Sequence, residues 1–270
     1  MSLPERRQIT GFSNPTIKRL KSLREKKHRK REGHFLAEGL RILTEALDAG
    51  KTPKLLVVVE GTELHPLAQK IEAATFAAGG EVIETSEAII AKLSGKSNPQ
   101  SIIGIYEDHP TPLPDLDRSA SDIWLVAQAL RDPGNLGTIL RTGDAVGAGG
   151  LILIDDCVDP FSVEAVRASM GAVFTQQIAQ APWQEFLDWR RSGNGQLVGT
   201  SLNTDKDYQA VRYDAPTFLL IGNEAQGLPH DYETACDVLV KMPMMGKADS
   251  LNAAVASAVM AYEVLNQRRS

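Results

Sequence analysis

The chain has 270 residues, 43% hydrophobic and 23% charged, with a net charge of −5 at pH 7. That length suits two domains and not one small core, and no apolar run reaches the roughly 18 residues a membrane span needs, so no membrane partner is expected. Two cysteines, Cys157 and Cys236, stand too far apart in sequence for a metal cluster or a disulfide framework, so no metal is expected and a reducing, cytoplasmic setting fits best. The opening "MSLPERRQITGF" lacks the apolar core of a secretory signal, while its arginines leave an organelle transit peptide open.

The first helix is expected from Asn14-Pro15, a capping side chain followed by proline, to Gly33. It contains the run "KRLKSLREKKHRKRE". Residues 1–50 hold 12 Lys/Arg against 6 Asp/Glu, and the remainder 17 against 28, so basic charge is concentrated at this end. Lys18, Arg19, Lys26, Lys27, Arg29, Lys30 and Arg31 are candidates for contact with nucleic-acid phosphates. A solvated helix face is the alternative. Beyond it, "EGLRILTEALDAG", "LHPLAQKIEAATFAAGG" and "SEAIIAKLSG" have helical patterns and "KLLVVVE", "EVIET" and "SIIGIYE" strand patterns. These make a small α/β domain over residues 1–107. Residues 108–120 carry three prolines without apolar periodicity and are expected to be a linker.

Alternation resumes at Ile123. "IWLVAQAL", "LILIDD", "AVFTQQI", "QLVGTSL", "TFLLIG" and "DVLVKM" are expected strands, with helices in "NLGTILRTGDAVG", "VEAVRASMG", "WQEFLDWRRS" and the C-terminal segment. Strands that are apolar throughout and separated by helices indicate a mostly parallel sheet covered on both faces, over residues 121–270. In the last helix Leu251, Val255, Val259, Tyr262 and Leu265 recur at helical spacing and are expected to be mostly packing.

Two glycine-rich stretches invite a nucleotide-loop reading and fail it. "GAGG" at 147–150 follows a helix and precedes a strand, the reverse of a dinucleotide turn, and "IGNEAQGLP" has Leu228-Pro229 where a phosphate loop needs Lys then Ser/Thr. What remains is three polar clusters near predicted strand ends: Asn135 with Arg141, Asn223 with Glu224, and Ser250 with Asn252. Open parallel sheets bind ligands at the carboxyl ends of their strands. Singly, each residue also admits a structural role: Asn135, Asp249 or Ser250 as helix caps, Glu224 as complement to a helix dipole.

Together, "DPGNLGTILRTGDAVGA", "LLIGNEAQGLP" and "VKMPMMGKADSLNAAVASAVMAYE" resemble the signature motifs of the SpoU/TrmH family of RNA ribose methyltransferases, over residues 123–267. "NPTIKRLKSLREKKHRKREGHFLAEGLRILTEAL" resembles the substrate-binding domain often fused ahead of it, a small α/β fold of the ribosomal-protein type. The resemblance implies a C-terminal α/β domain with a deep trefoil knot, a homodimer through that domain, and bound S-adenosylmethionine. It implies Thr200, Leu202, Gly222, Asn223, Gly227, Met242, Pro243 and Leu251 as the cofactor site, with Gly222, Gly227 and Gly246 at points of close backbone approach. Asn135, Arg141, Glu224, Ser250 and Asn252 become the catalytic set. Arg141 would be a fixed cation that anchors phosphate and stabilises a developing alkoxide, positioned by Glu224; the alternative role the family implies, Arg141 itself accepting the proton, demands an unusually depressed pKa. Asn135, Asn252 and Ser250 would orient hydroxyl and cofactor.

The implied activity is methylation of a ribose 2′-hydroxyl in structured RNA, ribosomal RNA being favoured over transfer RNA. The alternatives are a guanine-nitrogen methyltransferase of the same superfamily and a non-enzymatic ribosome-assembly protein that keeps the fold.

Overall fold

A computed structural model describes residues 5–61, 63–223 and 226–269. The chain divides into two compact units: residues up to Asp108 together with Phe161–Thr175, and His109–Pro160 together with the residues from Gln176 onward.

The first unit runs β1 (Arg7–Gln8), α1 (Pro15–Ser22), α2 (Lys26–Glu32), β2 (His34–Glu38), α3 (Leu40–Asp48), β3 (Leu55–Val59), α4 (Pro66–Ala77), β4 (Glu81–Thr85), α5 (Glu87–Ser94) and β5 (Ile102–Glu107). Its sheet has the order β1-β4-β3-β5-β2. β1, β4 and β3 are parallel, while β5 is antiparallel to β3 and to β2. Side chains alternate across the strands, so Leu55, Val57, Ile83, Ile103 and Ile105 share a core with Ile17, Leu20 and Leu23 and with Ile89, Ile90 and Leu93 of α5.

The single helix expected from Asn14 to Gly33 is broken in two. Asn14 caps α1, accepting from the Thr16 N–H at 2.9 Å, and Gly33 ends α2 in the left-handed region at φ 64°. Between them the chain turns at Leu23–Glu25. The buried Arg29 guanidinium donates to the Leu23 carbonyl at 2.8 Å, satisfying an acceptor that a continuous helix would have used.

The second unit runs β6 (Ile123–Gln128), α6 (Pro133–Val146) and β7 (Gly150–Ile154). After the excursion that holds α7 (Val163–Ser169), it continues with β8 (Gln177–Ala181), α8 (Trp183–Arg191), β9 (Gln196–Thr200), β10 (Thr217–Ile221), α9 (His230–Ala235), β11 (Val238–Val240) and α10 (Ala253–Arg269). The strand order is β11-β9-β10-β6-β7-β8 and every pairing is parallel. This mostly parallel α/β sheet is the one expected, and it fits the trefoil knot that the resemblance implies.

Three segments differ from the sequence reading. Residues 161–175, read as part of the C-terminal domain, belong to the first unit. There Phe161 and Phe174 pack on Phe35 with ring centroids 5.0 and 5.7 Å away, and Arg167 pairs with the buried Glu38. Residues 172–178, read as a strand, begin with a 3-10 turn at Ala172–Phe174. The proline-rich stretch is also no loose tether. Leu113 and Leu116 are buried in a cluster with Trp124, the Arg118 carbonyl accepts from the Trp124 indole, and the Thr111 N–H donates to Ile178 at 2.8 Å. Apolar leucines placed between the prolines give that segment a core to join.

Among the described residues, no helix is long and apolar enough to cross a membrane. α10 carries apolar side chains almost all round, and the structure buries the face opposite to the one its larger residues suggest. Ala253, Ala254, Ala256, Ser257, Met260, Ala261 and Val264 face inward, whereas Leu251, Val255 and Tyr262 are 40%, 48% and 52% exposed. Small side chains let the helix approach β10, β6 and α6 closely; the larger row is left outward.

Candidate functional site

The carboxyl ends of β9, β10 and β11 open on a cleft of about 370 Å³. β9 contributes Thr200 and Leu202 beyond its end, β10 contributes Gly222, Asn223 and Gly227, and the chain after β11 contributes Met242 and Leu251. Seven of the eight cofactor residues named from sequence therefore meet at one place. Pro243 is exposed and outside the lining, although Met244 beyond it returns to the cleft.

The three glycines divide. A Cβ on Gly222 would stand 2.5 Å from the Gly227 carbonyl carbon and 2.6 Å from the Leu228 nitrogen, so close backbone approach requires glycine there. Gly227 is needed for its φ of +67° and has open space around it. Gly246 has neither feature, with nothing within 4 Å of a Cβ; it is not a point of close approach.

Asn135 and Asn252 come together from 117 residues apart, the Asn252 Nδ2 donating to the Asn135 Oδ1 at 2.9 Å. The caps are not those first considered. Asp132 caps α6 by accepting from the Asn135 N–H at 2.6 Å, and Asn252 caps α10 by accepting from the Ala254 N–H at 2.9 Å and the Val255 N–H at 3.3 Å. The pair thus ties two helix N-termini beside the cleft that Ser250 and Leu251 line. Ser250 is exposed, and its hydroxyl donates to the Asp249 Oδ1 at 3.4 Å.

Arg141 is exposed and lies six residues along α6 from Asn135, about 9 Å up the axis and a third of a turn round it. It lines neither cleft of its own unit. No carboxylate among the described residues lies within ion-pair distance of it. Glu224 lies outside the described residues.

Residues 122–262 match the SpoU rRNA Methylase family and residues 14–104 the MRM3-like substrate binding domain. The chain belongs to the SpoU rRNA methylase family. It is 32% identical over 277 residues to the 23S rRNA (uridine(2479)-2'-O)-methyltransferase of Streptomyces viridochromogenes, covering 99% of this chain and 94% of that one. A Bacillus subtilis relative, 23S rRNA (guanosine(2553)-2'-O)-methyltransferase RlmP, is 27% identical over 96% of this chain and 99% of its own. Among solved structures, the AdoMet-bound rRNA methyltransferase from Sinorhizobium meliloti superposes with a TM-score of 0.89 at 39% identity, covering 96% of this chain and 97% of that one.

S-adenosylmethionine is the cofactor of a SpoU methylase, and the lining of this cleft suits that molecule. Ile221, Leu228 and Val240 supply apolar walls for a purine. Glu233, 7% exposed, puts a carboxylate in the lining, a suitable neighbour for a ligand that carries a sulfonium cation. Ser201 donates to it, as does Asn203 at 3.2 Å. Glu233 was missed from sequence because α9 has no apolar periodicity to mark it.

Neither cysteine is built to be a nucleophile. Burial pushes the Cys157 thiol up; burial, with help from Asp237 and Glu233, pushes Cys236 up to about 12. The reactive thiolate is therefore scarce at neutral pH, which argues against base methylation through a cysteine adduct. Among the described residues no group of three or more His, Cys, Asp or Glu could hold a metal ion.

The basic residues of the first unit are mostly where a polyanion could meet them. Lys18, Arg19, Lys26, Lys27, Lys30 and Arg31 are exposed. Arg19 and Arg31 each approach Glu32, at 3.7 and 3.0 Å. Arg29 is the exception: at 4% exposure it is a structural residue of the α1–α2 turn and is withdrawn from the RNA-contact set.

Proposed function

We propose that the protein transfers the methyl group of S-adenosylmethionine to a ribose 2′-hydroxyl of ribosomal RNA. One observation carries the reading: residues from three distant stretches, implied for the cofactor by the family resemblance, converge on a single cleft at the strand ends. The full-length likeness to ribose methyltransferases that act on 23S rRNA supports the substrate class.

When bound, S-adenosylmethionine supplies an electrophilic methyl group on a sulfonium sulfur. The protein's part is to hold the 2′-oxygen opposite that methyl and to favour loss of the hydroxyl proton. Asn135 and Asn252, fixed by their mutual hydrogen bond, orient the reacting groups, and Ser250 adds a hydroxyl at the rim. Arg141 stabilises the charge that develops on the attacking oxygen. Correct alignment alone contributes about 7–11 kcal/mol in well-oriented reactions.

The working unit in this reading is a homodimer. Val255 and Tyr262 of α10, 48% and 52% exposed, offer an apolar surface to a second copy, and Arg141, exposed on α6, serves the site of the partner copy. Glu224 positions Arg141, as the motif implies. A ribosomal RNA substrate and two cysteines outside any disulfide support a cytoplasmic setting.

The test is transfer of label from methyl-labelled S-adenosylmethionine to ribosomal RNA by the purified protein. Label in RNA is the expected result. Cofactor binding with no transfer to ribosomal RNA from any stage of assembly would make the protein an assembly factor.

A further inference from the structure

A second cleft, of about 430 Å³, lies beside the cofactor cleft and shares Asn223, Gln226 and Gly227 with it. Gln128, the last residue of β6, lines it. This side chain is only 8% exposed, and its Oε1 is buried with no hydrogen-bond partner among the described residues. Leaving a buried polar atom unpaired costs about 1–3 kcal/mol, and such groups in native proteins call for an explanation. The opposite wall is held in place, since the Asn223 Nδ2 donates to the Ala129 carbonyl at 2.8 Å and the Gln226 N–H donates to the Asn223 Oδ1 at 3.2 Å. Arg131, exposed and paired with Asp156 at 2.7 Å, also lines the cleft.

We propose that this cleft receives the nucleobase of the nucleotide being methylated, and that the Gln128 amide reads the polar edge of that base. The inference rests on the ribose-methylation reading. A ribose delivered to the cofactor cleft carries a base one bond away, and a nucleotide taken out of a stack needs a pocket for that base. The adjoining cleft, which shares Asn223, Gln226 and Gly227 with the cofactor cleft, supplies one. An amide offers both a donor and an acceptor, the pattern every nucleobase edge presents. Ala129 and Gly227 line the cleft beside Gln128, and Arg131 adds a cation to the same lining. Gln128 is therefore a specificity-determining residue and not a member of the proton-transfer set.

Gln128→Met keeps size and burial while removing both polar groups. Because the Gln128 Oε1 is buried with no hydrogen-bond partner among the described residues, the variant should melt at or above the wild-type temperature and bind S-adenosylmethionine within twofold of wild type by titration calorimetry. Methyl transfer to ribosomal RNA should fall at least tenfold in kcat/KM, or spread from the wild-type nucleotide to others when 2′-O-methylated positions are mapped. Unchanged kcat/KM with an unchanged map would overturn the proposal. So would a loss of transfer that merely tracks lost cofactor affinity or lost stability, with Gln128→Glu behaving the same way. If the wild type binds the cofactor yet methylates no ribosomal RNA, it is the ribose-methylation reading that fails, and the variant comparison is not the cause.

Discussion

In the first unit, Lys18, Lys26, Lys27 and Lys30 diverge from two short helices into solvent; in the second, Thr200, Gly222, Met242 and Leu251 converge on one cleft from three segments. Divergent charge recognises a polyanion through the sum of many weak, salt-screened contacts, so no single residue is essential to it. Convergent groups act on one bond, and each is placed by a backbone that tolerates little change. The two units should accordingly respond to mutation in different ways: graded and salt-dependent in the first, steep and salt-independent in the second.

The largest effect is expected at Arg141. Arg141→Ala should lower methyl transfer about 100-fold or more, the range seen when one charge-stabilising donor is removed. Because the side chain is exposed, melting temperature and cofactor affinity should stay near wild type. Loss of cofactor binding instead would place Arg141 among the structural residues and erase its part in the contrast.

A smaller, graded effect is expected from replacing Lys26, Lys27 and Lys30 together by Gln. Affinity for ribosomal RNA should drop, and the slope of log affinity against log salt should flatten by up to about 2, at about 0.7 for each single-strand phosphate that is no longer neutralised. Arg29→Gln belongs to a different class: it should lower the melting temperature and leave the slope alone. An unchanged slope in the triple variant would make the run a solvated helix face.

The smallest effect concerns Glu38, which anchors residues 161–175 to the first unit. Burial, the largest single influence, pushes its carboxyl up, but the Gln100 N–H, Arg167 and Ser94 together outweigh it and hold it below the ordinary glutamate value of 4.5. A carboxylate whose folded value is depressed stabilises the fold above the unfolded value, and that contribution is lost as pH falls through the folded one. Glu38→Gln should therefore cost about 2 kcal/mol at pH 7, with the difference between variant and wild type shrinking below pH 4.5. A difference that persists undiminished at about pH 3, well below the unfolded value, would assign the effect to packing.

Much of this was legible in the sequence, for identifiable reasons. Apolar runs marked the parallel strands, Asn14 and Gly33 marked helix ends, and long motifs marked residues that line one cleft. What escaped was set by tertiary contact. α10 is apolar on nearly every face, so periodicity could not say that its alanines pack inward and Val255 and Tyr262 outward. The basic run is equally uniform, so nothing singled out Arg29 as the buried member. The 161–175 excursion follows from Phe35 and Glu38, more than a hundred residues earlier. Gln128 did leave a trace, a lone amide in the apolar run "IWLVAQAL", and a polar residue in a fully buried strand is worth asking about wherever that strand ends at a site.

The decisive experiment is the chemical identity of the product. Ribosomal RNA labelled by the wild-type protein from methyl-labelled S-adenosylmethionine should be digested to nucleosides and separated. Label recovered wholly in a 2′-O-methylnucleoside, at one mapped position, is the result expected from a cleft that presents a ribose to the methyl group. Label in a methylated base, with unmodified ribose, would contradict it.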